Sequence, residues 1–275
     1  MRALSAATLV AVTAMMPPGA IAQQPDEERG CFAREGVAPE QKLASCTAVI
    51  KSGGQTPQRL VAAFTNRGNV YLSNRNYDSA VDDYNEAIKL NPKFASGFNV
   101  RGVAYLRKGR IDHAIEDFDE AIRLNPTFVL AFVNRAIAYQ EKAQWDFDAY
   151  LAEGRYEDRA IQDLDEAIRL APNNATAFRN RGFVHSRQQR YDRAIQDFDE
   201  AIRLDPSVAA SFSGRAYALR FVGQYERAIT DYRKALTLPL DDVARKQIEK
   251  LLKQLGVATE RAATPQPLQS GDFQR

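Results

Sequence analysis

The chain has 275 residues, of which 45% are hydrophobic and 26% are charged, so its composition is that of a globular protein. Its 37 basic and 35 acidic residues give a net charge of +2. This balance provides no electrostatic reason to expect a nucleic-acid or anionic-membrane partner.

Residues 1–22 have the pattern of a secretory signal peptide. Arg2 supplies a basic start, and the small-x-small motif Ala20–Ala22 predicts cleavage after Ala22. An uncleaved membrane anchor is the alternative, but the apolar run Ala3–Met16 is shorter than the roughly 20 residues that a span needs. We therefore expect a periplasmic or secreted protein without stable membrane insertion.

Residues 23–60 form the predicted lead-in, and they contain both cysteines of the chain. Because export favours oxidation, we predict a disulfide between Cys31 and Cys46, with two unpaired buried thiols as the alternative. A metal site is not predicted there, because neither histidine is near the cysteines in sequence.

The polar, Pro/Gly-punctuated residues 23–37 predict a mostly irregular segment. Pro39–Lys51 is an amphipathic helix, which Gly53 and Gly54 end. We interpret this helix as an N-terminal half-repeat that caps a stack.

A 13-residue phrase, Ala80–Pro92, then recurs from Ala114, Ala160, Ala194 and Ala228, at offsets of 34, 46, 34 and 34 residues. A fixed period of this size indicates stacked supersecondary units, each of which needs neighbours to bury its apolar face. The five units run over 61–94, 95–128, 129–174, 175–208 and 209–242.

Each unit reads as a helix–turn–helix. In the first unit, Phe64 and Gly68 lie on one helical face, and Asp78 suits the N-cap of a second helix. Asn91-Pro92 ends that second helix, because a residue before proline avoids the α region.

The pattern resembles the tetratricopeptide repeat family over residues 61–242, because its small and aromatic positions recur in register. The first-helix aromatics are Phe64, Phe98, Phe132, Phe178 and Phe212. The small residues four positions later are Gly68, Gly102, Ala136, Gly182 and Ala216. The alanine pairs of the second helices are Ala80/Ala87, Ala114/Ala121, Ala160/Ala167, Ala194/Ala201 and Ala228/Ala235.

The resemblance implies an all-α, right-handed superhelix, or α-solenoid, of five helical hairpins. The polar-backed helix over residues 241–256 is expected to cap its C-terminal end. Residues 257–275 are expected to form a disordered tail.

One arginine per first helix and one aspartate per second helix also recur in register. We hypothesise a ladder of Arg–Asp pairs within or between units, since a guanidinium can hold a carboxylate bidentately. The alternative is a basic stripe for an acidic partner. The arginines are Arg67, Arg101, Arg135, Arg181 and Arg215, and the aspartates are Asp83, Asp117, Asp163, Asp197 and Asp231.

In the family, the first helices line a concave groove that binds extended peptides or partner helices. By resemblance, the groove positions are Asn69, Asn99, Val103, Leu130, Val133, Ile137, Arg179, Phe183 and Tyr217. For each of them, packing against the neighbouring helix is the alternative. The chaperone-tail form of the family is not expected, because its carboxylate-binding places carry Thr65, Asn69, Val100, Leu130 and Asn134.

The third unit is 12 residues longer than the others, and the excess falls between Tyr139 and Asp158. Insertions in repeats often map to the binding face. We therefore add Trp145, Phe147 and Tyr150 to the predicted partner-binding residues. The alternative is that Trp145 only seals a longer hairpin.

Catalysis has little support in this sequence. His185 lies at a packing position and is expected to be a satisfied core histidine, and His113 is expected to be exposed. No phosphate loop or nucleophile elbow is present, so neither a cofactor nor a metal is predicted. We expect a non-enzymatic scaffold that binds an unknown protein or peptide in the cell envelope. The alternative is a self-associating structural protein that uses the third-unit insertion as its dimer contact.

Overall fold

The computed structural model describes residues 26–33, 35–145 and 155–256, and every regular element among them is an α-helix. The predicted signal peptide (residues 1–22), the tail (residues 257–275), Phe147 and Tyr150 lie outside these ranges. The chain divides after Pro172 into two compact units, which we call the N-terminal unit and the C-terminal unit. Among the described residues, no helix is long and apolar enough to cross a membrane.

The N-terminal unit begins with a short helix that the sequence did not predict. The prediction of a mostly irregular segment over residues 23–37 is wrong for α1 (Asp26–Phe32). This helix packs on α2 (Pro39–Lys51), which was predicted. Tertiary contacts explain the difference. Cys31 is bonded to Cys46, which confirms the predicted disulfide. Gly30 lies so close to Ser45 that a larger residue would clash. The half-repeat thus has a short first helix of its own.

The rest of the N-terminal unit consists of three helical hairpins, and each first helix packs on its second. Their helices are α3 (Pro57–Ser73) with α4 (Tyr77–Leu90), α5 (Ala95–Arg107) with α6 (Ile111–Leu124), and α7 (Val129–Trp145) with α8 (Arg155–Leu170). At 17 residues, α7 is longer than α5, which has 13. Residues 146–154, which fall within the longer stretch of the third unit, lie outside the described part of the chain.

The helix ends follow local signals, with one correction. Asn76 rather than Asp78 is the N-cap of α4, and the Asn76 side chain accepts a hydrogen bond from the Ser79 amide at 3.4 Å. The helix begins two residues earlier than the predicted cap requires, which leaves the Asp78 carboxylate free to pair with Lys108 of the next hairpin. Gly53 and Gly54 adopt φ values of +68° and +66°, the left-handed conformation expected of a helix stop.

The C-terminal unit has two hairpins and a final helix. Its helices are α9 (Ala175–Arg187), α10 (Tyr191–Leu204), α11 (Ala209–Phe221), α12 (Tyr225–Leu236) and α13 (Asp242–Gln254). Asp241 caps α13 by accepting a hydrogen bond from the Ala244 amide at 2.7 Å. Ile248 and Leu252 bury the apolar stripe of α13 in the core that it shares with α12. This is the predicted capping helix.

Candidate partner-binding surface

Small residues on the first helices set the distance between the two helices of a hairpin. A Cβ atom at Gly68 would lie 2.6 Å from Tyr84 Cε1, and one at Gly102 would lie 2.7 Å from a ring carbon of Phe118. The second-helix aromatic therefore packs directly against the first-helix backbone. This contact is repeated, so it fixes the spacing of the scaffold rather than marking one site.

The predicted Arg–Asp ladder is confirmed within the hairpins. In each of the five hairpins, the arginine Nε and Nη2 groups both donate to the two oxygens of one buried aspartate. The pairs, with their Nε and Nη2 distances, are Arg67–Asp83 (2.9 and 2.7 Å), Arg101–Asp117 (2.9 and 2.6 Å), Arg135–Asp163 (2.8 and 2.6 Å), Arg181–Asp197 (3.0 and 2.6 Å) and Arg215–Asp231 (2.7 and 2.7 Å).

Some of these arginines also reach the preceding hairpin of their own unit. Arg135 Nη1 donates to Asp119 at 2.6 Å, and Arg215 Nη1 donates to Asp199 at 2.6 Å. A hydrogen bond to a carboxylate favours the charged form of a guanidinium. The hydrogen bond with Asp231 accordingly raises the pKa of Arg215. Each ladder arginine also lies over the phenylalanine three positions before it. The ladder is therefore scaffold, and its charges are already neutralised within the chain.

Most predicted groove positions of the N-terminal unit are occupied by contacts within the chain. Asn69 accepts a hydrogen bond from the Tyr84 hydroxyl at 2.8 Å, and Asn99 accepts one from Asn134 at 3.0 Å. Val103, Val133 and Ile137 are buried. This surface consequently exposes less apolar area than the sequence suggested.

Leu130 is the exception among the apolar groove positions of this unit. Its side chain is half-buried at the start of α7, and Asn69 is half-buried as well. The side chain of Trp145 lies outside the described part of the structure. Leu130 is therefore the apolar groove residue of this unit that has most surface left for a partner.

The C-terminal unit exposes more of its predicted groove. Tyr217 is 37% exposed, and Phe183 is half-buried with its ring edge-on to Phe198 at 5.0 Å. Arg179 is buried, with 5% of its surface exposed. In this unit the aromatic side chain of Tyr217 is therefore open to solvent, whereas the cation of Arg179 is buried.

Sequence reasoning missed an aromatic ridge beside Tyr217. The ring of Phe221, 49% exposed, stacks on Tyr191 at 4.7 Å and lies 4.9 Å from Tyr217. Arg220 lies over both Tyr217 and Phe221. The sequence does mark this place as a departure from the repeat. Val222, which follows Phe221, stands where the second and third units carry Lys108 and Lys142. Those lysines form ion pairs between hairpins.

The two histidines have different surroundings. His113 is exposed, as predicted. His185 is buried, as predicted, and its Nε2 lies 3.8 Å from Asp197. The prediction that it is satisfied is wrong at Nδ1, which has no hydrogen-bond partner among the described residues. Burial lowers the pKa of His185, and the nearby positive charges of Arg181, Arg190 and Arg193 act in the same direction, against the opposing effect of Asp197.

Consecutive helical hairpins with close-packed small residues and a repeated Arg–Asp ladder define an all-α solenoid of the helical-repeat class. Models of the tetratricopeptide repeat match residues 61–94, 95–128 and 175–208, and also residues 209–242; a TPR repeat model matches residues 148–189. Together these matches cover more than half of the chain. The chain therefore belongs to the tetratricopeptide repeat family.

Solved structures with the same fold are distant in sequence. A thermophilic TPR protein of Thermus thermophilus is 22% identical, with a TM-score of 0.61 over 72% of this chain and 100% of that chain. A TPR protein from Parabacteroides merdae is 20% identical, with a TM-score of 0.61 over 84% and 82%. YrrB, described as a TPR protein with an unusual peptide-binding site, is 19% identical, with a TM-score of 0.50 over 74% and 97%. No curated protein matches the sequence.

Proposed function

We propose that this protein is a non-enzymatic adaptor of the cell envelope that binds an extended segment of a partner protein on its first-helix face. The observation that carries the proposal is the exposure of Tyr217 on α11, the helix against which the half-buried Phe183 of the preceding hairpin packs at Gly214. Aromatic side chains that a folded domain leaves exposed are the groups that interfaces use most.

The family supports the interaction role. Proteins of this class are interaction scaffolds, and YrrB, a structural neighbour, is described as carrying a peptide-binding site. The Cys31–Cys46 disulfide and the leader-like residues 1–22 support export. N-terminal sequencing of the mature protein tests the export proposal, with Gln23 as the expected first residue.

Site-specific photo-crosslinking tests the adaptor proposal. A photoreactive phenylalanine at Tyr217 is expected to give an adduct with a second protein in intact cells. The matched control is the same substitution at Tyr225, which is 53% exposed in the same unit but lies on a second helix. Equal adducts at both positions, or none at Tyr217, would overturn the proposal.

The self-association alternative gives a different result in the same experiment. A Tyr217 adduct of twice the chain mass, together with a dimer in light scattering, would identify a second copy as the partner. In that case the protein is a structural homodimer rather than an adaptor.

A further inference from the structure

The last hairpin of the C-terminal unit places exposed aromatic rings on both sides of its turn. Phe221 ends α11 and is 49% exposed, and Tyr225 begins α12 and is 53% exposed. The Phe221 ring also stacks on Tyr191 at 4.7 Å, so the preceding hairpin contributes to the same surface. We call this surface, formed by residues 189–193 and 220–227, the turn edge.

The scaffold does not require a phenylalanine at the end of α11. The equivalent position is polar in every other hairpin, where it carries Ser73, Arg107, Glu141 and Arg187. Apolar groups that lie side by side and stay in contact with water mark interaction surfaces. The turn edge lies at the ends of helices, so it is a surface distinct from the first-helix face that is proposed to bind the partner segment.

The two units differ in charge, which the balance of the whole chain conceals. The described residues of the N-terminal unit carry 18 basic and 20 acidic side chains, whereas residues 173–256 of the C-terminal unit carry 15 basic and 10 acidic ones. The net charge is therefore −2 for the first set and +5 for the second, with histidine neutral. A positive unit attracts an anionic partner.

Part of this positive charge lies at the turn edge without a counter-charge from the chain. Arg220 lies over the Phe221 ring at 5.2 Å, and Arg190 and Arg193 are exposed. These three arginines form no ion pair among the described residues. The charged side chains of the turn edge are Arg190, Arg193, Arg220, Arg227, Asp192 and Glu226. Cations therefore outnumber carboxylates there.

We propose that the turn edge binds an anionic phospholipid surface, where Phe221 and Tyr225 enter the headgroup region and the arginines lie against the lipid phosphates. Aromatic rings flanked by cations suit the interface of a bilayer. A lipid surface fits better than an acidic protein segment, because rings at a hairpin turn can touch a flat surface, whereas a peptide is bound in a groove that buries it. The contact is peripheral, and it does not depend on the adaptor function proposed above.

Sedimentation with vesicles tests this inference on the full mature chain. The wild type is expected to bind vesicles of equal parts phosphatidylglycerol and phosphatidylcholine about tenfold more tightly than vesicles of phosphatidylcholine alone. Added salt is expected to weaken the binding, because it screens the charges. Equal affinity for the two kinds of vesicle, or no binding to either, would overturn the proposal.

The aromatic rings are tested by a double substitution. Phe221→Ser with Tyr225→Ser is expected to lower the affinity for the anionic vesicles about tenfold, because both apolar groups are lost. Val243→Ser is the matched control, since Val243 is 60% exposed on α13. The nearby Arg245 donates to the Leu236 carbonyl, at the end of α12 opposite Tyr225. The control is expected to bind as the wild type does, and circular dichroism checks that both variants are folded. Unchanged affinity in the double variant would refute the lipid contact.

The arginines are tested with and without their charge. Arg190→Gln with Arg193→Gln is expected to lose about tenfold in affinity, whereas Arg190→Lys with Arg193→Lys is expected to stay within about twofold of the wild type, because a lipid surface attracts charge without requiring the guanidinium fork. An equal loss in both variants would contradict this. Polyglutamate tests the other class of partner. If the wild type binds polyglutamate but not the anionic vesicles, the turn edge recognises an acidic protein segment and the proposal is wrong.

Discussion

Two tyrosines at the same place in different hairpins provide a sharp test of the packing described above. Tyr84 and Tyr232 are both almost fully buried on second helices, each against a first helix of its own hairpin. The Tyr84 hydroxyl donates to Asn69 at 2.8 Å, whereas the Tyr232 hydroxyl has no partner among the described residues. The same substitution, tyrosine to phenylalanine, should therefore act in opposite directions.

The magnitudes follow from hydrogen bonding. Tyr84→Phe loses one hydrogen bond and is expected to lower the free energy of unfolding by about 1 kcal/mol. This value is at the lower end of the cost of leaving a polar partner unsatisfied, because water can reach the half-buried Asn69. Tyr232→Phe removes an unsatisfied buried hydroxyl and is expected to stabilise by about 1 kcal/mol. Phenylalanine fits both places sterically, because Phe118 and Phe198 are fully buried at the equivalent positions.

Urea denaturation followed by far-UV circular dichroism measures the total effect, and native-state hydrogen exchange assigns it to a hairpin. Burial raises the pKa of Tyr232 to about 12, so the hydroxyl is un-ionised at pH 7 and the comparison is free of titration. If both variants shift the free energy of unfolding in the same direction by the same amount, the hydrogen-bond assignment is refuted.

Three further predictions concern single features of the scaffold. Because the pKa of His185 is lowered in the folded state, the unfolded chain binds a proton first as the pH falls below about 6.5; the wild type should then lose stability more steeply than His185→Phe in urea denaturation. Gly68→Ala forces a Cβ against the Tyr84 ring, so the free energy of unfolding from urea denaturation should fall by a net amount of about 1 kcal/mol. Replacing both Cys31 and Cys46 by serine should cost the N-terminal end about 3 kcal/mol, measured by its rate of proteolysis.

Each of these predictions has an outcome that contradicts it. Parallel pH profiles for wild type and His185→Phe would show that the imidazole titrates as it does in the unfolded chain. A Gly68→Ala variant as stable as the wild type would mean that Tyr84 has room to move. Ala136 provides the natural comparison, because the third hairpin carries the smaller Leu164 at the position equivalent to Tyr84. An unchanged rate of proteolysis in the serine variant would show that the disulfide does not stabilise α1 and α2.

The helices and the ladder were predictable because the same local pattern is written several times. Ala80 and Ala87 recur at helical spacing, and both are fully buried in the structure. Arg67 and Asp83 recur at one separation, so a single pairing explains every copy. Repetition turns an uncertain local inference into a constraint on the whole scaffold.

The exposure of the groove positions was not predictable in the same way. It depends on contacts between neighbouring hairpins, such as the hydrogen bond from Asn134 to Asn99, and periodicity within one helix does not specify those partners. The helix α1 was missed for a related reason. It has only seven residues, and the disulfide together with the contact of Gly30 on Ser45 stabilises it against its weak local preference.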